Sequence, residues 1–375
     1  MTACVWDDLP GQVRAVGYLR SAVESGSVAH AYLFVGPTGV GKKSAARALA
    51  CALFCADPTG CGSCPACHRV KNGTHPDLHL VRPEGVAGYM VEQVRGITHD
   101  VHLKPIEAPR KVYVLEDAAG LKAESANAFL KTLEEPPADV VIVLLATDVD
   151  DVLPTLVSRC HVVRFSPVPP SLALGLVIER TGAEESDARA ALAAADGVIP
   201  RAIAFLASPG RQRARRAILD LLKRLAVMDG HDVLLGAREL LTEVRAPVDE
   251  TKTAQADELA DAREYLTKGA ASDMEKRHKR ELTFREREGI AEIMSVTESW
   301  LRDCLVLSRG ADELIENADA ADASAEIASV ITVPAALAAL EAVKTARSRM
   351  AYNVSPQLVV EAMLFDIQEV LRCPR

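Results

Sequence analysis

Apolar residues in the first half of the chain alternate between short continuous runs and helical patterns. The runs predict five strands, and because several are apolar throughout they indicate a parallel sheet covered on both faces. The predicted strands are residues 31–35, 78–81, 112–115, 140–145 and 161–165. Predicted helices lie between them at residues 13–23, 45–54, 91–101, 121–135 and 152–157. In the first helix the apolar positions are Val13, Val16, Leu19 and Val23.

The second half of the chain carries helical patterns almost throughout. Pro167, Pro169 and Pro170 mark a linker, and Pro209-Gly210 marks a second boundary. We therefore expect an α/β domain at residues 1–167, a small helical domain at 168–210 and an all-helical domain at 211–375. Between residues 249 and 287 charges of both signs recur at helical spacing, which predicts an exposed, projecting helical hairpin.

A glycine loop joins the first predicted strand to the helix that follows. Its sequence is Gly36-Pro37-Thr38-Gly39-Val40-Gly41-Lys42-Lys43-Ser44. A strand, a glycine loop and a helix start are the context that a phosphate-binding P-loop requires. Gly36, Gly39 and Gly41 let backbone N–H groups converge on one point, and Lys42 can reach the β- and γ-phosphates of a nucleotide.

Lys43 departs from the P-loop pattern. An ATPase has Ser or Thr at this position, because the hydroxyl ligates Mg²⁺. The ammonium of Lys43 cannot ligate a cation. Ser44 follows one residue later, but on a helix its side chain is turned by about 100°, so a rescue by Ser44 requires the loop to shift. The sequence therefore predicts a P-loop fold with impaired metal chemistry, and it leaves ATP binding without turnover open as a middle case.

Two carboxylates, Glu116 and Asp117, follow the predicted strand 112–115. In the Walker B layout the first acid holds Mg²⁺ and the second polarises the attacking water. The order is the reverse of the usual Asp-Glu, so the second acid is one methylene shorter. A strand end with solvated acids is the alternative. Thr147, just beyond strand 140–145, lies on the side where α/β sheets bind ligands and is a further candidate nucleotide contact.

The charge of the chain argues against one class of function. The 375 residues carry a formal net charge of −9, whereas nucleic-acid binders gain most of their affinity by neutralising phosphates. We therefore expect no autonomous DNA binding. No apolar run reaches membrane-spanning length, and the N-terminus lacks a basic region followed by an apolar one. The expected location is the cytoplasm, without membrane contact.

Four of the nine cysteines lie close together in the sequence, namely Cys55, Cys61, Cys64 and Cys67. Four thiolates match tetrahedral Zn²⁺, and short C-x-x-C turns let them converge. An iron–sulfur run would continue to a fourth cysteine and a proline, where Lys71 and Asn72 stand instead. Buried free cysteines are the bland alternative. We predict a structural zinc, because four protein thiolates leave no open position for catalysis.

With these features, about the first 165 residues resemble the clamp-loader subunits of the AAA+ family. The resemblance rests on the P-loop, the cysteine insertion and three further segments, which are His75-Pro76-Asp77, residues 127–137 and Ser158-Arg159-Cys160. Residues 196–202 resemble the lid motif of the family, and residues 353–358 resemble its collar helix. The resemblance implies an α/β AAA+ P-loop domain with a zinc-binding insertion at residues 55–67, followed by a helical lid and a helical collar that holds a ring of subunits together.

The resemblance also implies roles for two arginines. In clamp loaders the arginine of Ser-Arg-Cys reaches the ATP of a neighbouring subunit, so Arg159 is implied as an arginine finger acting in trans. From the residues alone, Arg159 at a helix end could equally bind terminal carbonyl groups. Arg201 matches the lid arginine that senses the subunit's own nucleotide, and a surface or packing role is its alternative.

Two functions fit these features. The favoured hypothesis is a catalytically weak stator subunit, whose partners by resemblance are the gamma/tau and delta subunits of DNA polymerase III, in a ring that places the sliding clamp on primed DNA. Lys43 and the reversed acids agree with it, since both harm hydrolysis and neither harms folding. The alternative is an active AAA+ ATPase of the gamma/tau type, with Mg²⁺ held by Ser44 or by water. The closed four-thiol site argues against a zinc nuclease.

Overall fold

The structure is a computed structural model that describes residues 5–7, 9–85, 88–262, 268–350 and 354–372. Asn353, which opens the segment resembling a collar helix, lies outside these residues, as does the middle of the predicted hairpin at 263–267. The chain divides into two compact units, Met1–Leu172 and Ala173–Arg375. Among the helices that the structure describes, none has both the length and the apolar character needed to cross a membrane.

A five-stranded parallel sheet forms the centre of the first unit, in the order β2-β3-β4-β1-β5. The strands are β1 (Ala31–Val35), β2 (Leu78–Val81), β3 (Lys111–Leu115), β4 (Val140–Ala146) and β5 (His161–Arg164). Every residue of β1, β3 and β4 is buried. Leu144 of β4 stands opposite both Leu33 and Leu115. The carboxyl ends of these three strands therefore meet at one edge of the sheet, which confirms the predicted parallel sheet.

Helices cover both faces of the sheet, because side chains alternate between the faces along each strand. They are α1 (Val13–Glu24), α2 (Lys42–Phe54), α3 (Pro65–Asn72), α4 (Val91–Val101), α5 (Ala123–Glu134) and α6 (Pro154–Val157). Tyr32 and Phe34 of β1 belong to the core shared with α1 and α2. Leu33 and Val35 belong to the core on the other face, shared with α4, α5 and α6.

Apart from shifts of one or two residues at element ends, the predicted elements differ from the observed ones in three ways. Helix α2 begins at Lys42 and not at residue 45, because Gly41 already serves as its N-cap. Helix α3, whose N-cap is Cys64, was not predicted. The cysteine spacing in this segment was interpreted as metal ligation, and its helical pattern was overlooked. Val13 is 83% exposed, so its predicted place on the apolar face of α1 is wrong. Helix α1 buries the row Ala15, Leu19 and Ala22 instead, which follows helical spacing.

The second unit is helical over its described residues. Its helices are α7 (Pro170–Thr181, which begins at the boundary), α8 (Glu185–Ala194), α9 (Ile199–Leu206), α10 (Pro209–Arg224), α11 (Gly230–Ala262), α12 (Lys268–Leu307), α13 (Ala321–Ala328), α14 (Val333–Met350) and α15 (Pro356–Arg372). Arg347 of α14 donates hydrogen bonds to both carboxylate oxygens of Asp196, at 3.2 and 3.1 Å. This pair ties the predicted lid segment to the predicted collar. Their separation into two domains stays a prediction.

The charged stretch predicted at residues 249–287 lies in two long helices, α11 and α12. His278 lies 3.6 Å from Glu258, and the Gln255 amide donates to Glu281 at 2.8 Å. Arg245 contacts Glu286 at 2.8 Å. Because the partners advance along α12 as they recede along α11, the two helices run antiparallel. Cross-helix polar pairs of this kind explain why the stretch is so rich in mixed charge.

Asp77 has a structural role that the sequence did not reveal. Its side chain is fully buried, and its carboxylate accepts hydrogen bonds from the backbone N–H groups of Ile106, Glu107 and Ala108 at 2.6, 2.8 and 2.7 Å. Burial alone would raise the pKa of Asp77, but these three donors outweigh it and hold the pKa below its usual range. The carboxylate therefore anchors the segment that leads into β3.

We expect Asp77→Ala to lower the free energy of unfolding by about 3 kcal/mol, because three backbone N–H groups lose a buried, charged acceptor. The stabilisation by Asp77 is present above the unfolded-state pKa of about 3.9 and is lost as the pH falls through the lower folded-state pKa. Urea unfolding of the whole chain at neutral and acidic pH measures both effects.

Glu107→Ala is the matched control. Glu107 keeps its backbone N–H in the variant. Its side chain forms an exposed ion pair with Arg69, which is worth less than about 1 kcal/mol. Equal losses in the two variants, or an Asp77→Ala loss that persists unchanged at low pH, would contradict the anchoring role.

Candidate functional site

The P-loop lies at the edge of the sheet where β1 ends. It connects Val35 to α2, and Gly41 is the N-cap of that helix. A Cβ at Gly36 would lie 2.4 Å from the carbonyl oxygen of Phe165, so the loop can pass β5 only because this residue is glycine. Gly41 has a φ of 96°, in the left-handed region that favours glycine. The structure thus has the strand, loop and helix of a P-loop.

The Lys42 ammonium lies over its own loop. Its Nζ donates a hydrogen bond to the carbonyl oxygen of Pro37 at 2.7 Å and another to that of Gly36. Burial lowers the pKa of Lys42 to about 8, because a half-buried ammonium loses hydration without gaining an anionic partner. A bound phosphate would supply that partner. The contact of Lys42 with a nucleotide phosphate stays a prediction.

The Lys43 ammonium forms an ion pair with the first carboxylate of the predicted Walker B pair. Its Nζ lies 2.5 Å from Oε1 of Glu116. Arg82 contacts the same oxygen through Nε at 3.1 Å. The pair connects the start of α2 to the end of β3 across the end of β4. Two cationic groups therefore share the carboxylate that an active P-loop ATPase uses to hold its metal.

These residues do not fit Mg²⁺. The ion needs oxygen ligands in near-ideal octahedral geometry, and Lys43 offers an ammonium where the motif needs a hydroxyl. The one acid placed for the metal already neutralises Lys43 and contacts Arg82. A divalent cation would have to displace or approach these positive charges, which costs free energy in a partly buried site. The geometry thus agrees with the predicted loss of metal chemistry.

The other predicted nucleotide contacts lie at the same edge of the sheet. Asp117 has a φ of 55° and precedes a short 3₁₀ turn at Ala118–Gly120; Asp adopts this left-handed conformation more readily than most residues. Ser44 is exposed on the first turn of α2, and Thr147 is exposed directly after β4. Their roles in nucleotide binding stay predictions.

Arg82 was missed by the sequence analysis. It directly follows β2, whose neighbour in the sheet is β3. A residue placed there reaches the same edge as the acids that follow β3, because the two strands are parallel and in register. The signal was a basic residue at the end of a strand, and it gained meaning only when the strand order was known.

Arg159 lies just beyond α6 and contacts Glu134, the last residue of α5. Its Nε donates to Oε1 of Glu134 at 3.0 Å, and its Nη1 donates to the carbonyl oxygen of Thr155 at 2.9 Å. The side chain is about one-third exposed, at 32%. The structure thus shows the helix-carbonyl contact that the residues alone suggested. A role in trans requires the guanidinium to leave Glu134 and stays a prediction.

Arg201 lies in the second unit and has an acidic neighbour there. Its Nε is 3.6 Å from Oε1 of Glu288 on α12. Arg211 contacts the same glutamate at 3.1 Å. The contact gives Arg201 a local electrostatic role, and its role as a nucleotide sensor stays a prediction.

The four clustered cysteines converge on one point. The Sγ atoms of Cys55, Cys61, Cys64 and Cys67 all lie within 4.8 Å of one another. Cys55 Sγ is 3.6 Å from Cys61 Sγ and 3.7 Å from Cys64 Sγ. Zn–S bonds of about 2.3 Å in a tetrahedron put neighbouring sulfurs about 3.8 Å apart. The cluster therefore has the size of a tetrahedral metal site.

Local hydrogen bonds prepare some of these sulfurs for the thiolate form. Hydrogen bonds from Ser63 lower the pKa of Cys61 to about 6, and the backbone N–H of Cys67 donates to Cys64 Sγ at 3.4 Å. Cys51 lies beside the cluster, but burial raises the pKa of its thiol to about 11. Burial also raises the pKa of Cys55 and Cys67. The convergence of the four Sγ atoms, and not the pKa of the thiols, therefore distinguishes the candidate ligands from Cys51.

Two family models match the chain. One, described as DNA polymerase III, delta subunit, matches residues 11–169. The other, described as DNA polymerase III, delta subunit, C terminal, matches residues 260–369. Together they reach from the P-loop domain to the last helices of the second unit.

Curated relatives carry related names. DNA polymerase III subunit delta' of Bacillus subtilis is 36% identical over 173 residues, 45% of this chain and 52% of that protein. Subunit delta' of Pseudomonas aeruginosa is 36% identical over 202 residues, 52% of this chain and 61% of that protein. Subunit gamma of Buchnera aphidicola is 37% identical over 158 residues, 41% of this chain and 43% of that protein. The matched part of the chain thus spans about half of the length of these relatives.

These matches agree with the P-loop, the parallel sheet, the cysteine cluster and the helical second unit. The chain belongs to the DNA polymerase III clamp-loader subunits of the delta'/gamma/tau type.

Proposed function

We propose that this chain is a stator of the clamp loader, a delta-prime subunit that does not hydrolyse ATP itself and supplies Arg159 to a neighbouring ATPase subunit. The observation that carries the proposal is the ion pair between Lys43 and Glu116. Lys43 replaces the residue whose hydroxyl would ligate Mg²⁺, and its ammonium pairs with the carboxylate that would hold the same ion. The fold is kept, because the pair itself joins the P-loop helix to β3.

The partners follow from the same family. The gamma/tau subunits would bind and hydrolyse ATP, the delta subunit would complete the ring, and the assembly would open the sliding clamp and place it on primed DNA. The net charge of −9 supports DNA contact through the assembly and not through this chain alone. A cytoplasmic location fits this role.

An active motor subunit of the gamma/tau type is the competing function. The gamma relative is as similar to the chain as the delta' relatives are, so identity does not decide between them. The ammonium of Lys43 favours the stator function. In an active site this ammonium would have to move away from Glu116, and the Ser44 side chain would have to turn toward the metal. No contact among the described residues favours that rearrangement.

The place of Arg159 supports a contact in trans. It lies after α6 on an exposed turn, and its guanidinium forms ion and hydrogen bonds only with Glu134, Thr155 and Ser158 within the contacts described. An exposed ion pair is worth less than about 1 kcal/mol, so the guanidinium can exchange Glu134 for a phosphate at small cost. Arginine suits this task because its rigid, permanently charged fork stabilises phosphoryl charge.

The cysteine cluster supports a structural zinc. Zn²⁺ would be held by the thiolates of Cys55, Cys61, Cys64 and Cys67, whose spacing matches a tetrahedron. The ligands come from the end of α2, the loop after it and the start of α3. The ion would therefore fix the insertion onto the P-loop helix and take no part in hydrolysis.

Arg159→Ala should slow ATP hydrolysis by the reconstituted clamp loader while leaving its assembly intact. An arginine finger accelerates hydrolysis about 10³-fold or more at the site that it serves. Hydrolysis at that site should therefore nearly stop, and the total rate of the complex should fall by the contribution of that site. Steady-state hydrolysis and size-exclusion chromatography of the complex measure the two effects.

Arg164→Ala is the matched control, because Arg164 is an exposed arginine on β5 of the same unit. It should leave the rate unchanged. Unaltered turnover in the Arg159→Ala complex would remove the finger hypothesis, and steady turnover by the isolated wild-type chain would favour the motor function instead.

Purified protein should contain about one zinc per chain, and Cys61→Ser should lose it. Elemental analysis of the intact protein gives the stoichiometry. Cys51→Ala should keep the metal, because Cys51 lies outside the set of four sulfurs that converge on one point. A chain that contains iron, or that contains zinc in both variants, contradicts the assignment.

A further inference from the structure

The ammonium of Lys43 lies where an active P-loop ATPase would hold Mg²⁺. Lys43 Nζ lies 2.5 Å from Glu116 Oε1, and the Glu116 side chain is only 22% exposed. Lys43 stands where an ATPase presents its Mg²⁺-ligating hydroxyl, directly beside the lysine of the motif. The ammonium therefore occupies the region between the P-loop and the first acid, which is where the metal lies in an active site.

The phosphate-binding part of the loop is nevertheless intact. Gly36, Gly39 and Gly41 all have positive φ values, of 155°, 82° and 96°. The first N–H groups of an α-helix have no partner within the helix, and the N-cap of α2 supplies no side-chain acceptor for them among the described residues. Lys42 lies over the loop on carbonyl oxygens that a phosphate would replace. The chain thus departs from the P-loop pattern at the residue that would ligate the metal and keeps the residues that would bind the phosphates.

The charges at this edge favour an anion without a metal. Lys42 and Lys43 are two adjacent cations at the start of α2, and Arg82 adds a third beside Glu116. Mg²⁺ would cancel negative charges of a polyphosphate that these cations otherwise neutralise, and it would be repelled by Lys43. A free polyphosphate keeps its full charge for the lysines and for the helix N-terminus.

We propose that the P-loop of this chain binds the polyphosphate of a nucleotide in its Mg²⁺-free form, with the Lys43 ammonium in the place of the metal. In the empty site Lys43 neutralises Glu116, and in the bound site it lies between Glu116 and the outer phosphates. The inference rests on the proposed function only in taking this P-loop as catalytically silent, and it does not involve Arg159.

The test is a calorimetric titration of the whole chain with ATP, once in excess Mg²⁺ and once in buffer freed of Mg²⁺ by a chelating resin. A resin is used because EDTA added to the protein would also remove zinc from the cysteine cluster. The expected result is binding that is at least about ten-fold tighter without Mg²⁺. Binding that requires Mg²⁺, equal affinities, or no binding in either buffer overturns the proposal.

Two variants locate the effect. Lys43→Thr restores the hydroxyl and should reverse the preference, so that Mg-ATP binds more tightly than free ATP. Glu116→Gln should release Lys43 for the phosphates and tighten binding of free ATP. Lys104→Thr is the matched control, because Lys104 is an exposed lysine that precedes β3 and so lies at the opposite end of that strand. A reversal that also occurs in Lys104→Thr would overturn the assignment to Lys43.

Failure of this proposal and failure of the stator function are distinguishable. Titration reports on the chain's own P-loop, whereas hydrolysis by the complex reports on Arg159 and a neighbour's nucleotide. A chain that binds no nucleotide can still supply Arg159 to a neighbour. Conversely, a chain can bind free ATP without serving as a stator.

Discussion

The burial of β4 on both faces determines how the first unit is organised. Its seven residues, Val140–Ala146, are all buried, and a strand of this kind is stable only if helices cover both sides of the sheet. Parallel neighbours β1 and β3 then place their carboxyl ends beside the end of β4. The P-loop and the two acids meet at this edge as a consequence of the core. A change in the chemistry of the edge therefore need not disturb the fold.

The ion pair of Lys43 with Glu116 is such a change. It spans the end of β4 and joins the start of α2 to the end of β3. In an active enzyme a metal ion would make this connection only when nucleotide and metal are bound. Here a side chain of the protein itself makes the connection. The geometry of the edge thus depends less on ligands, as the proposed stator function requires.

The sequence predicted the sheet and most helices because long apolar runs and proline stops leave few alternatives. It missed α3, because the spacing of the four cysteines was interpreted as metal ligation, whereas Cys64, a candidate ligand, is also the N-cap of that helix. It placed Val13 on the wrong face of α1, because two helical rows share the apolar residues and only the sheet decides between them.

At the site, the sequence predicted that Lys43 damages metal binding, and the structure adds where the ammonium goes. That contact could not be predicted, because Lys43 and Glu116 are far apart in sequence and meet only through the strand order. The same holds for Arg82. Arg159 and Glu134 show what the structure of one chain does not decide. Both residues lie in motifs that the sequence singled out, yet their mutual contact says nothing about a partner outside the chain.

A fixed ammonium differs from a metal in one way that bears on function. Mg²⁺ enters and leaves with the nucleotide, so an active subunit alternates between two charge states at this edge. Lys43 is attached to the backbone of α2, so its positive charge stays in the chain when a ligand leaves. A charge that does not leave with the products cannot, by its departure, report hydrolysis to the rest of the subunit. Under the proposed stator function, this constancy would keep Arg159 in one place for a neighbouring subunit.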